Sequence, residues 1–350
     1  MLAPVTHVLA LTRIRRLRTL PIPGQVMVHT EQRVNPLDVI AQAPRPGSHL
    51  IIDVRRALNL RSSSEMEQVL QVHAGDKVEK DMPIAEVSGL FPRIVRAPAD
   101  GTVVMVMGGR VILETSAEMF HLDAGISGVI TQVIPERGAW IETDGALVQG
   151  VWGNDQHEAG LLLSLLRSPE DTLETNRLDV SMLGGIIVGG HCSSAEVLTL
   201  ASELPLRGLI LASMTADLVP VAESLAIPIL VVEGFGRIPL NPAAYKILTS
   251  ADQMEVCLMA NRWKPFSGDR PEVIIPQNAA ADYPLELIEF APGQLVRVTS
   301  GRYAGRTGKL SEIHPEVQTF PSGVVASAAD VQLDGGEEIC VPAANLDVLE

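Results

Sequence analysis

Residues Ala291–Ile313 read APGQLVRVTSGRYAGRTGKLSEI. Pro292-Gly293 makes a turn, because proline presets φ and glycine accepts its positive value. A strand is expected over Gln294–Thr299. Gly301 and Gly305 bracket a tight loop, and Gly308 lets the next strand, Lys309–Ile313, pack closely. Further strands are expected at Ala329–Leu333 and Glu338–Pro342, either side of an Asp334-Gly335-Gly336 hairpin turn. The closing stretch VPAANLDVLE completes a small β barrel over residues 290–350.

Upstream, 277–289 reads as a linker, and 151–276 has a different texture. GGIIVGG at Gly184–Gly190, LRGLILAS at Leu206–Ser213 and IPILVVE at Ile227–Glu233 are short apolar runs, the pattern of strands buried on both faces. Helices are expected between and after them, at Ala195–Leu204, Ala216–Leu225 and Asn241–Leu248, and at Leu161–Leu166 before them. Short strands are expected at Glu255–Met259 and Val273–Ile275. Alternating strands and helices predict a central parallel α/β domain.

Residues 20–150 read as mostly β, with Val/Ile/Met runs cut by Gly, Pro and Asp. A helical turn is expected at Ser64–Val69. Two stretches look like copies of one idea: LPIPGQVMVHTEQRVNPLDVIAQA, Leu20–Ala43, and LQVHAGDKVEKDMPIAEV, Leu70–Val87, followed by VRAPADGTVVMV, Val95–Val106. Residues 1–19 form a basic segment, with Arg13, Arg15, Arg16 and Arg18 after an apolar start. It reads as a strand or short helix with a solvated basic edge, or as a basic docking patch.

The chain has 350 residues, and Lys+Arg 27 against Asp+Glu 42 leave a net charge of -15. Such a field repels phosphate, so non-specific nucleic-acid binding is disfavoured and no DNA partner is expected. Aromatic residues are only 3%, which leaves few platforms for stacking bases. Cys192, Cys257 and Cys340 are widely spaced and form no CxxC, as for thiols of a reducing cytoplasm. The histidines show no HxH or HExxH spacing. Neither a metal site nor a cofactor is expected, nor a transmembrane segment.

The 291–313 motif resembles the KOW motif of NusG-type transcription factors and related ribosomal proteins. That resemblance implies an SH3-like barrel whose loop meets a partner, with Arg297, Arg302, Tyr303, Arg306 and Lys309 as its contacts. Residues 290–350 hold four Arg/Lys and eight Asp/Glu, so a protein partner is favoured over RNA, with RNA or ribosome contact as the other option. The AGDKVEKDMPIAEV and VRAPADGTVV stretches resemble the barrel-sandwich hybrid of biotinyl and lipoyl domains. With LPIPG in front they are similar to the N-terminal part of Rnf- and Nqr-type subunits. The hairpin Ser88–Arg93, where such domains carry their lysine, has none. The iron–sulfur cysteine clusters of Rnf-type subunits are also missing.

The loop His191-Cys192-Ser193-Ser194 would open a helix after a strand. Amides there could hold an anion, and a thiol there would have a lowered pKa. It resembles the Gly-Gly-x-Thr-Ser-His-Ala loop of swivelling phosphohistidine domains, with Ser194 at the phosphorylated position and His191 displaced by three residues. Ser194 also suits a plain helix cap. Ser213, and Glu233, Gly234 and Arg237 of the next loop, would lie at the same sheet edge, where open α/β sheets bind ligands.

The reading is a multidomain α/β plus all-β protein. A barrel-sandwich hybrid (20–150) precedes a swivelling-like α/β domain (151–276), and a KOW barrel (290–350) ends the chain. The expected job is a non-catalytic adaptor on a large cytoplasmic assembly of transcription or translation. One alternative is an enzyme or ligand-binding subunit acting on an anionic metabolite at the central loops. Another is a structural subunit of a membrane-associated redox complex.

Overall fold

The computed structural model describes residues 2–45, 47–60, 68–87, 92–115, 118–264, 269–284 and 288–350. The start of the expected turn at Ser64–Val69 and the Ser88–Phe91 part of the hairpin lie outside the described residues. The fold is mostly β, 50% strand and 13% helix, which makes the pairing of strands the main organising force.

An eleven-stranded mixed sheet forms the body. Gly185–Cys192 pairs in parallel with His157–Ser164 on one side and Gly208–Met214 on the other, and Ile229–Phe235 continues the parallel run. Every residue of Gly185–Cys192 and Gly208–Met214 is buried. Successive side chains go to opposite faces. Ile186 and Val188 therefore join one core with the helix Pro242–Ser250, while Ile187 joins another with the helix Ala195–Glu203. The helix expected at Leu161–Leu166 is instead the end of a strand, His157–Ser164. A short apolar run does not distinguish the two by itself. Here the open edges of Gly185–Cys192 and Glu255–Met259 flank it and complete its hydrogen bonds on both sides.

Antiparallel strands extend the sheet through Glu255–Met259 and Glu272–Pro276 to Gly138–Gln149 and Gly128–Ile134. The basic N-terminal segment is the strand Val8–Thr19, paired along Gly138–Gln149. The segment is thus a strand, as one expectation had it, with Arg15 exposed and Arg13 and Arg16 part-exposed, and its arginines also have partners within the chain. Arg13 pairs with Asp144 at 3.0 Å, Arg16 forks onto the buried Glu272 at 2.6 Å, and Arg15 lies over the Trp140 ring.

Between Arg45 and Glu118, which pair across neighbouring strands, the chain makes an excursion. Residues 49–115 have a β core of their own, built on Val72, Val78, Ile84, Val103, Val111 and Leu113. Residues to either side, such as Ile40 and Ile130, pack instead into the core beneath the main sheet with Ile14 and Ile274.

The C-terminal unit is a six-stranded sheet. It comprises Leu295–Val298, Thr307–Thr319, Val325–Leu333, Glu338–Pro342 and Leu346–Leu349, with Val5–Thr6 from the chain start added in parallel to the last of these. Val296, Val298, Leu310, Val331, Val341 and Val348 fill its core.

Candidate functional site

The C-terminal unit presents its loop 299–306 between two glycines in left-handed conformations, Gly301 at φ 90° and Gly305 at φ 81°. Arg302, Arg306 and Lys309 are exposed, and the Arg302 guanidinium lies over the half-buried Tyr303 ring at 5.5 Å. The Tyr303 hydroxyl donates to Glu337, fixing the ring. The other side of the loop is seated: a Cβ on Gly305 would fall 2.6 Å from Cδ1 of Ile238, in the loop after Ile229–Phe235.

Arg297 departs from the expected set of partner contacts. In its strand, Val296 and Val298 point into the core, so the residue between them points the other way, toward the main sheet. There it is 2% exposed and pairs with Glu233 at 3.1 Å and Asp347 at 3.5 Å. Thr6 Oγ donates to Asp347, and Arg270 donates to Thr6. Arg297 is thus a buried tie between the C-terminal unit, the main sheet and the chain start. A buried guanidinium needs such partners, since an unpaired charge there would be costly.

The central loops are brought together, but they satisfy one another. His191 Nδ1 lies 3.0 Å from Ser213 Oγ, and Ser213 in turn exchanges hydrogen bonds with the backbone of Ile238. Burial and the Arg237 charge hold the His191 imidazole below its usual pKa, hence neutral. Glu233 accepts from Asn241 with one oxygen and from Arg297 with the other. Asn241 also caps the helix Pro242–Ser250. Gly234 is buried with φ 145°, whereas Ser193 and Arg237 are exposed. Ser194 is a helix cap, its Oγ accepting from the Glu196 amide. The expected low-pKa thiol is corrected: Cys192 is fully buried, and desolvation pushes the thiol up. This edge has the wiring of a structural hub. His191, Ser213, Glu233 and Asn241 are engaged with the backbone, with each other or with Arg297, whereas the buried Thr215 Oγ1 beside them has no partner among the described residues.

A free surface appears elsewhere on the C-terminal unit. Pro315 interrupts the ladder of Thr307–Thr319, and the register shifts between Ile313 and Val317. Proline has no N–H to donate, so it is tolerated in a sheet mainly at such a bulge. Beyond the bulge, Val317–Thr319 and Val325–Ser327 pair with each other as a projecting arm. The arm closes through a turn in which the Gly323 and Phe320 amides bond across it. Val317, Val324 and Val325 on this arm are 65%, 52% and 61% exposed.

At the root of the arm, the bulge turns His314 onto Asp330, with Nε2 2.9 Å from Oδ2. Asp330 pairs directly with Cys340 across the next strand. Burial and the neighbouring carboxylate raise the Cys340 thiol to about 11. Histidine spacing along the sequence does not show this grouping, because its members come from three different strands. Its signal was the hairpin centred on Gly335, which sets residues 330 and 340 opposite each other.

Residues 292–320 match the family model of the KOW motif, covering the seated loop, the strand after it and the first limb of the arm. No curated protein matches the chain.

Proposed function

We propose that the protein is a non-catalytic adaptor that docks on a large cytoplasmic assembly of transcription or translation through its SH3-like KOW barrel. The observation that carries this reading is the arm. Three β-branched apolar side chains stand in solvent close together on one hairpin, in a chain whose net charge is -15. Grouped apolar exposure of this kind marks protein interaction surfaces. Such a patch can bury against a protein groove, whereas RNA phosphate would meet the field of eight acidic residues in 290–350. Arg302, Tyr303, Arg306 and Lys309 then serve as a cationic rim that sets orientation. The committed hydrogen bonding of His191, Ser213 and Glu233 favours this reading over a metabolite pocket. The β unit at 49–115 fits the role of a second, barrel-sandwich-like surface with no carrier lysine in its hairpin.

Affinity capture with the full chain tests this. The wild-type protein should recover ribosomal or polymerase components, and a Val317→Asp/Val325→Asp variant should lose them. Recovery of neither set, or capture indifferent to the variant, would overturn the proposal.

A further inference from the structure

We propose that His314, Asp330 and Cys340 form a binding site for a divalent transition-metal ion, zinc above all, at the root of the arm. Their three ligand atoms, an imidazole nitrogen, a carboxylate oxygen and a thiol sulfur, lie within 4.8 Å of one another. A tetrahedral zinc ion bound at roughly 2.0–2.3 Å to such donors sets them about 3.3–3.8 Å apart. The grouping therefore needs only side-chain rotation to close. The mixed nitrogen, oxygen and sulfur set suits a borderline-soft ion, and it disfavours magnesium or calcium, which take oxygen.

Two features of the backbone support the assignment. The ligands come from three adjacent strands of one sheet, Thr307–Thr319, Val325–Leu333 and Glu338–Pro342, so their spacing is held by ladder hydrogen bonds. The sheet also sets Glu312 directly opposite Asp330. Like charges placed directly across a ladder repel, and a bound cation relieves that repulsion. Gln318, whose amide oxygen lies 3.7 Å from the Cys340 sulfur, sits beside the site as an outer partner. Three protein ligands leave a fourth position open to water or to a side chain of whatever covers the arm. The site stands on its own geometry and does not depend on what the arm docks against.

The test uses the full chain, stripped with a chelator and titrated with Co²⁺. The expected result is one ion per chain and a thiolate-to-cobalt charge-transfer band that stoichiometric Zn²⁺ removes. Cys192 and Cys257 are buried and Cys340 is exposed, so the band reports Cys340. Cys340→Ser should abolish it, and His314→Ala should weaken Zn²⁺ by more than about 100-fold, beyond the loss typical of outer partners. Cys340→Ser changes an exposed side chain, which keeps its result separate from misfolding. Absence of the band in the wild type, or an unchanged band in Cys340→Ser, would sink the proposal and leave His314–Asp330 as a hydrogen-bonded pair only.

Discussion

Arg297 and Glu233, 64 residues apart in sequence, lie 3.1 Å apart with both side chains almost wholly removed from solvent, and they join the C-terminal unit to the main sheet. Arg297→Met leaves the Glu233 carboxylate buried without its cation and should cost about 3–5 kcal/mol. Glu233→Gln keeps the acceptor used by Asn241 but leaves the guanidinium with Asp347 as its remaining counter-charge. The double variant should be less damaged than the sum of the two, with a coupling of about 1–3 kcal/mol. Urea unfolding of the four proteins measures this, and strict additivity would refute the tie.

The seating of the KOW loop gives a second expectation. Gly301 and Gly305 both have positive φ, but only at Gly305 would a Cβ meet Ile238, while nothing lies within 4 Å of one at Gly301. Gly301→Ala should therefore cost about 1 kcal/mol for its backbone alone. Gly305→Ala should cost clearly more, and pairing it with Ile238→Ala should recover the excess. Equal melting shifts for the two single variants would mean that the loop is not seated on Ile238.

Burial, helped by the Arg16 and Arg270 charges, lowers the His7 imidazole to about 4. The unfolded chain takes up that proton near pH 6.5 while the folded chain does not. Its contribution is thus complete above about pH 6.5 and drains away as the pH falls toward 4. The slope is about 1.4 kcal/mol per unit for the one proton. Glu350, 3.5 Å away, is pushed up by its own burial and acts in the opposite sense, so the comparison must isolate His7. His7→Phe should flatten the acid limb of the stability curve; an unchanged limb would contradict the assignment.

The arm should be nearly silent in stability. Val317 and Val325 are well exposed, so Val317→Asp/Val325→Asp should move unfolding by no more than about 0.5 kcal/mol per site. A large fall in the melting temperature would instead show that these side chains hold the barrel together.

Much of the strand inventory was legible because apolar runs between glycines, such as Gly184–Gly190, have few alternatives to a buried strand. The KOW turn chemistry was legible for a similar reason: Pro292-Gly293, Gly301 and Gly305 each answer a local conformational need. Leu161–Leu166 was misread as helix because its strand character comes from neighbours distant in sequence, Gly185–Cys192 and Glu255–Met259. Arg297 was misread as a surface cation because arginine is usually exposed and nothing near it in sequence announces Glu233. The arm was missed because Pro315 reads as a strand end, whereas the ladder here bends at the proline and continues.

Val5–Thr6 adds to the strand Leu346–Leu349, and the Val8 amide donates to the carbonyl of Glu350. During synthesis Val5–Thr6 must therefore wait for this partner until residues 346–349 have left the ribosome tunnel. Its edge stays open until then, and mispairing with another nascent chain competes with closure. Such a seam slows folding, since it closes a loop that runs from Thr6 to Val348. A holdase shielding residues 5–6 until that point should then raise the yield more than one acting later.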